Sequence, residues 1–153
     1  MVSAIDVAAY ILERVGNVTT MKLQKLVYYS QVRYLVTSGI PLFDNRIEAW
    51  ANGPVVPDLF RLHSGKYMVG PGDLGSSGSS DVLSEQQRLA AEKAVELFGS
   101  YSGERLRELT HSEAPWVDAR EGYEPGERCE VEITVDAIRR YYSSSLCSNP
   151  IVQ

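Results

Sequence analysis

Apolar residues at helical spacing open the chain. Ile5, Ala8, Ala9, Leu12 and Val15 mark one face of a helix over 4–15. Ser3 is placed to cap it, with Asp6 at the capping-box position, and Gly16-Asn17 ends it. A second helix is predicted over 20–38, capped by Thr19 or Thr20 and stopped at Gly39. Leu23, Leu26, Val27, Ser30 and Tyr34 form one stripe on it, and Tyr28, Val32, Leu35 and Val36 cover much of the rest. A helix apolar on most sides sits between other elements. Its exposed edge is expected at Lys22, Lys25, Tyr29 and Arg33.

The period then changes. Ile47, Ala49 and Ala51 alternate with Glu48, Trp50 and Asn52, which predicts a short strand. Asn52-Gly53-Pro54 must turn, and Pro57 suits the first position of a third helix ending near His63. The Gly- and Ser-rich stretch 70–80 reads as a flexible loop. Ser84 with Gln87 predicts a capped helix over 85–98. Ser102 caps a short helix carrying Leu106 and Leu109, and Pro115 starts another through Arg120. Val131 and Ile133 suggest a second short strand, a partner for the one at 47–51. Thr134 caps a last helix through Tyr142, and 143–153 is expected to be a disordered tail. The predicted fold is mainly α: a compact single domain of about six helices with a minor short β element.

Composition narrows the function by exclusion. The 153 residues suffice for a core without disulfides or metal. Cys129 and Cys147 are isolated, so free thiols in a reducing cytoplasm are expected. No apolar run is long enough to span a bilayer, and no charged-then-apolar leader precedes the first helix. The formal net charge of −5 argues against binding a phosphate backbone. The glycines of 70–80 fit neither a P-loop nor a dinucleotide fingerprint. With two histidines, His63 and His111, and no spaced Cys/His set, no metal or other cofactor is expected. His111, Ser112 and Glu113 are triad residue types, but adjacent positions rarely converge on one centre. A small hydrolase using His111 is therefore the minor alternative.

Nine tyrosines and two tryptophans are generous for this length, and such side chains anchor protein interfaces when partly exposed. Three blocks occur in order: Leu23-Gln24-Lys25-Leu26-Val27-Tyr28-Tyr29, then Gly39-Ile40-Pro41-Leu42-Phe43, then Glu48-Ala49-Trp50 followed by Gly53-Pro54-Val55 and Pro57. A later block runs from Leu109-Thr110-His111 through Pro115-Trp116 to Ala119-Arg120. Together with Ile133-Thr134 and Arg140-Tyr141-Tyr142, they resemble the Panacea domain of SocA-like proteins over about residues 4–142.

That resemblance implies a non-enzymatic antitoxin, associated with phages or mobile elements, that neutralises a cognate protein toxin by direct contact. It also implies a runner-up, an adaptor delivering the bound toxin to a ClpXP-type protease. The toxin is expected from an adjacent gene, with no nucleic acid and no membrane as partner. Motif membership and expected exposure select Lys22, Lys25, Tyr29, Arg33, Trp50, Asn52, His111 and Trp116 as contact residues. Gly53, Pro54, Val55, Pro57 and Pro115 are expected to hold the motif's shape.

Overall fold

A computed structural model describes residues 2–153. The described residues form seven α-helices: α1 (Ala4–Val15), α2 (Thr20–Ser38), α3 (Pro57–His63), α4 (Glu85–Phe98), α5 (Gly103–His111), α6 (Ala114–Ala119) and α7 (Val135–Tyr142). Four short strands accompany them: β1 (Val18–Thr19), β2 (Glu48–Trp50), β3 (Gly53–Val55) and β4 (Met68–Val69). The fold is mainly α, as the pattern predicts. The expected caps form: Ser3 and Ser84 close capping boxes, and Thr19, Ser102 and Thr134 accept from the first turns of α2, α5 and α7.

Helix α2 is the axis. Every residue from Leu23 to Val32 is buried, and α1, α4, α5, α7 and β3 all pack against it. Each fully buried leucine such as Leu23 or Leu26 contributes about 1.5–3 kcal/mol of transfer free energy. The polar residues of α2 serve its surroundings. Gln31 Oε1 accepts from the Leu42 N–H at 2.6 Å while its Nε2 donates to Phe43 O at 2.9 Å. Two turns earlier, Gln24 Oε1 accepts from the Val56 N–H at 2.9 Å and its Nε2 donates to Val56 O at 3.3 Å. Each glutamine thus satisfies main-chain groups of a buried segment that has no ladder partner there.

The β element is larger than its sequence suggests. Strands β2 and β3 form an antiparallel hairpin, Glu48 opposite Val55 and Trp50 opposite Gly53, with Ala51-Asn52 at the turn. Gly53-Pro54-Val55 is therefore a strand as well as the end of a turn. Gly53 has φ +119°, and a Cβ there would lie 2.5 Å from Lys25 Cε. The predicted partner at 131–133 does join β2: Ala49 N donates to Val131 O at 2.9 Å and Ile133 N to Ile47 O at 2.8 Å. A second pair, β1 with β4, places Val18 opposite Val69; two-residue strands are too short to show a period.

Two segments expected to be loose make specific contacts with the rest of the fold. The 143–153 segment is folded down: Ile151 is fully buried, Asn149 nearly so, and Pro150–Val152 makes a 3₁₀ turn against α2 and α4. Arg33 Nη1 holds it from outside, donating to Ile151 O at 3.0 Å and Gln153 O at 2.8 Å. The 70–80 segment also packs, with Leu74 buried and Ser79 N donating to Asp6 Oδ1 at 2.8 Å. Gly78 is needed there, because a Cβ would sit 2.6 Å from Ile5.

Candidate functional site

The β2–β3 hairpin is braced on both sides. Lys25 Nζ donates to Pro54 O at 3.2 Å from beneath. From above, Trp116 Nε1 donates to Trp50 O at 2.8 Å, and Arg120 Nη1 to Ala49 O at 2.9 Å. Arg120 is buried and also caps Glu124 O and Glu127 O, at 3.2 and 2.7 Å, so one guanidinium ties the 121–128 loop to the hairpin. Pro115 sits buried at the start of α6, and Pro57 in the first turn of α3.

Beside the hairpin runs a groove of about 520 Å³, within the size range of ligand sites. Met21, Trp50, Val55 and Phe60 give it apolar walls; Gln24, Lys25, His63 and Cys129 lie deeper, and Asn52, Arg128 and Glu130 lie at its rim. The Trp50 and Phe60 rings meet edge to face, 4.9 Å between centroids. Gln24 Nε2 also donates to His63 Nε2 at 2.9 Å. Burial pushes the His63 imidazole below its usual range. Burial, with Arg107 nearby, pushes the Lys25 ammonium down to about 7. Among the described residues no three His, Cys, Asp or Glu side chains converge on a point where a metal ion could sit.

The second polar cluster is sealed. Glu113, at the start of α6, is buried and accepts from Tyr29 Oη at 2.6 Å, Tyr142 Oη at 2.7 Å and Asn149 Nδ2 at 2.8 Å. Tyr28 Oη joins Tyr142 Oη at 3.2 Å. Burial raises the Glu113 carboxyl above its usual range although all three donors pull it down. His111 points elsewhere, stacked on Trp116 at 3.7 Å between centroids and 9° from parallel. Its Nε2 is buried without a hydrogen-bond partner, and burial among Arg107, Lys25 and Arg120 holds it near 4. The triad residue types thus face different surroundings, and no hydrogen bond links His111 to Glu113.

The eight contact candidates separate. Trp50 and Asn52 line the groove on its exposed side. Trp116 and His111 are half-buried in one stack behind the hairpin. Lys22 reaches Gly99 O, and Arg33 holds the C-terminal segment. The expected exposure of Lys25 and Tyr29 is overturned: they are 1% and 0% exposed. α5 closes over that edge of α2, and their polar ends find Pro54 O and Glu113 there. Sequence reasoning missed Gln24, Phe60, Cys129, Tyr142 and Asn149, whose partners lie up to more than a hundred residues away.

Fold and site together define a small helical domain whose ordered motifs build a braced hairpin and an adjacent open groove. The chain belongs to the antitoxin SocA-like, Panacea-domain family, whose sequence profile matches residues 23–117. It is similar to the antitoxin SocA of Caulobacter vibrioides, 30% identical over an alignment of 114 residues, the match covering 65% of this chain and 58% of that relative. The chain therefore spans somewhat more than half the length of the curated relative it matches. No solved structure matches it. No helix among the described residues is long and apolar enough to cross a membrane.

Proposed function

We propose that the chain is the antitoxin of a toxin–antitoxin pair, acting in the cytoplasm without catalysis, and that it neutralises a protein toxin by occluding it. The observation that carries this reading is an overlap. The residues matched by the antitoxin family profile, 23–117, include the hairpin and most of the groove walls. The contact surface is the groove face: Trp50 and Asn52, with Met21 and Phe60 supplying apolar area and Lys22 nearby on α2. Aromatic and methionine side chains around a concave surface are the usual anchors of such interfaces. Trp116 and His111 act from behind, fixing the hairpin. The toxin is the product of a neighbouring gene.

The test is co-expression of the chain with that gene from separate inducible promoters. The chain rescues growth and co-purifies with the toxin, whereas a Trp50→Ala/Asn52→Ala variant of unchanged circular dichroism does neither. The proposal fails if the unaltered chain does not rescue, or if the double variant rescues equally. Toxin half-life separates the two modes of action. Occlusion leaves it unchanged or longer; delivery to a ClpXP-type protease shortens it only when that protease is present.

A further inference from the structure

Lys25 is a buried amine without a counter-ion. It is 1% exposed and its ammonium makes one hydrogen bond, to Pro54 O at 3.2 Å, although it carries three donors. Among the described residues no carboxylate lies within ion-pair distance of it; the neighbouring Arg107 is taken by Glu104, and Arg128 at the rim by Glu130. A buried charge lacking its partner destabilises a fold, and an apolar side chain of similar length would fill the same space at less cost. The main-chain bond to Pro54 accounts for the position of the amine, not for its charge. Lys25 borders the groove from below, and Met21, Trp50, Val55 and Phe60 form apolar walls beside it. At one end Thr20 N bonds to Tyr67 O at 2.9 Å, and there Tyr67 and Met68 are 77% and 46% exposed. The surface on offer is thus apolar with positive charge below it, in a chain whose net charge is −5.

We propose that the groove receives a toxin segment in which an apolar side chain, seated against Trp50 and Phe60, adjoins a carboxylate that lies over the Lys25 ammonium. This rests on the antitoxin reading and specifies the chemistry of the partner: an acidic-apolar segment, and neither a basic nor a purely apolar one. The partner's carboxylate supplies the missing counter-ion, so the electrostatic cost held in the free chain is relieved on binding. Segments without the carboxylate gain no ion pair with this amine and bind more weakly on that ground. The amine held near 7 in the free chain becomes fully protonated when the carboxylate arrives. His63 beside it is kept neutral by burial and does not compete for the anion.

The experiment uses the full chain, labelled with nitrogen-15, and two capped peptides that differ only in one side chain: acetyl-Gly-Ser-Leu-Glu-Ser-Gly-amide and the same peptide with Gln for Glu. The Trp50 indole and Gly53 amide signals report occupation of the groove. The Glu peptide is expected to move both signals and to bind about tenfold more tightly than the Gln peptide. In Lys25→Met, which keeps the volume and removes the charge, the two peptides bind alike. Equal affinities in the unaltered chain overturn the proposal. So does a preference for Glu that survives Lys25→Met, or failure of both peptides to reach the groove. Failure of the antitoxin reading shows separately, as loss of growth rescue by the unaltered chain while its preference for the Glu peptide persists.

Discussion

Replacing Glu113 by alanine should loosen the domain from its centre. The carboxylate is the common acceptor for Tyr29, Tyr142 and Asn149, which come from α2, α7 and the C-terminal segment. All three partners are at most 4% exposed, so water cannot replace the lost acceptor without the structure opening. Each orphaned donor costs about 1–3 kcal/mol. Against this stands relief of the buried charge, whose desolvation outweighs the three hydrogen bonds in the direction of the Glu113 shift. We expect a net loss of about 3 kcal/mol, and for a domain of this size a fall in Tm of roughly 10 °C. Glu113→Gln keeps one oxygen for the tyrosines but turns an amide N–H towards Asn149, so it should lose only about 1 kcal/mol.

The acid dependence follows from the same group. A carboxyl raised in the folded state binds more protons folded than unfolded. Its contribution to stability is therefore full below the unfolded value near 4.5 and is lost as pH rises through the folded value. The advantage of the unaltered chain over Glu113→Gln should accordingly shrink between acid and neutral pH. Urea unfolding followed by circular dichroism at several pH values measures both effects. A Glu113→Ala variant within about 0.5 kcal/mol of the parent, the error of such comparisons, would refute the reasoning.

Other substitutions probe the hairpin and its braces. Gly53→Ala should cost about 3 kcal/mol, since it forces a side chain into positive φ with its Cβ 2.5 Å from Lys25 Cε; denaturant melts measure it. Arg120→Lys should cost about 2 kcal/mol, because a single ammonium cannot reach Ala49 O, Glu124 O and Glu127 O together, and hydrogen exchange should rise first in 121–128. The His111 ring should titrate near 4 by NMR, well below an ordinary histidine. Because that value is depressed, His111 favours folding above the ordinary range and its contribution is lost as pH falls; Trp116→Leu, which removes the stacking ring, should move the titration upwards.

The helices and their ends were legible because their causes are local. Ser3 with Asp6 and Ser84 with Gln87 lie three residues apart, and an amphipathic face repeats within one helix. The same holds for the central place of α2, whose apolar residues run most of the way round it. Nothing local says what its polar residues meet. Gln24, Lys25, Tyr29 and Gln31 have the composition of a solvent-facing edge, and each is buried against main chain or a carboxylate from another part of the chain. The C-terminal segment has the composition of a loose end, and it joins the core through buried Ile151, the bond from Asn149 to Glu113 and the grip of Arg33 on its carbonyls. The sequence by itself determined the elements, their caps and, through its ordered motifs, the family. The tertiary structure alone decided which polar groups are satisfied inside and that the Lys25 amine is buried away from any carboxylate, because a hydrogen-bond partner distant in the chain leaves no period for a pattern to reveal.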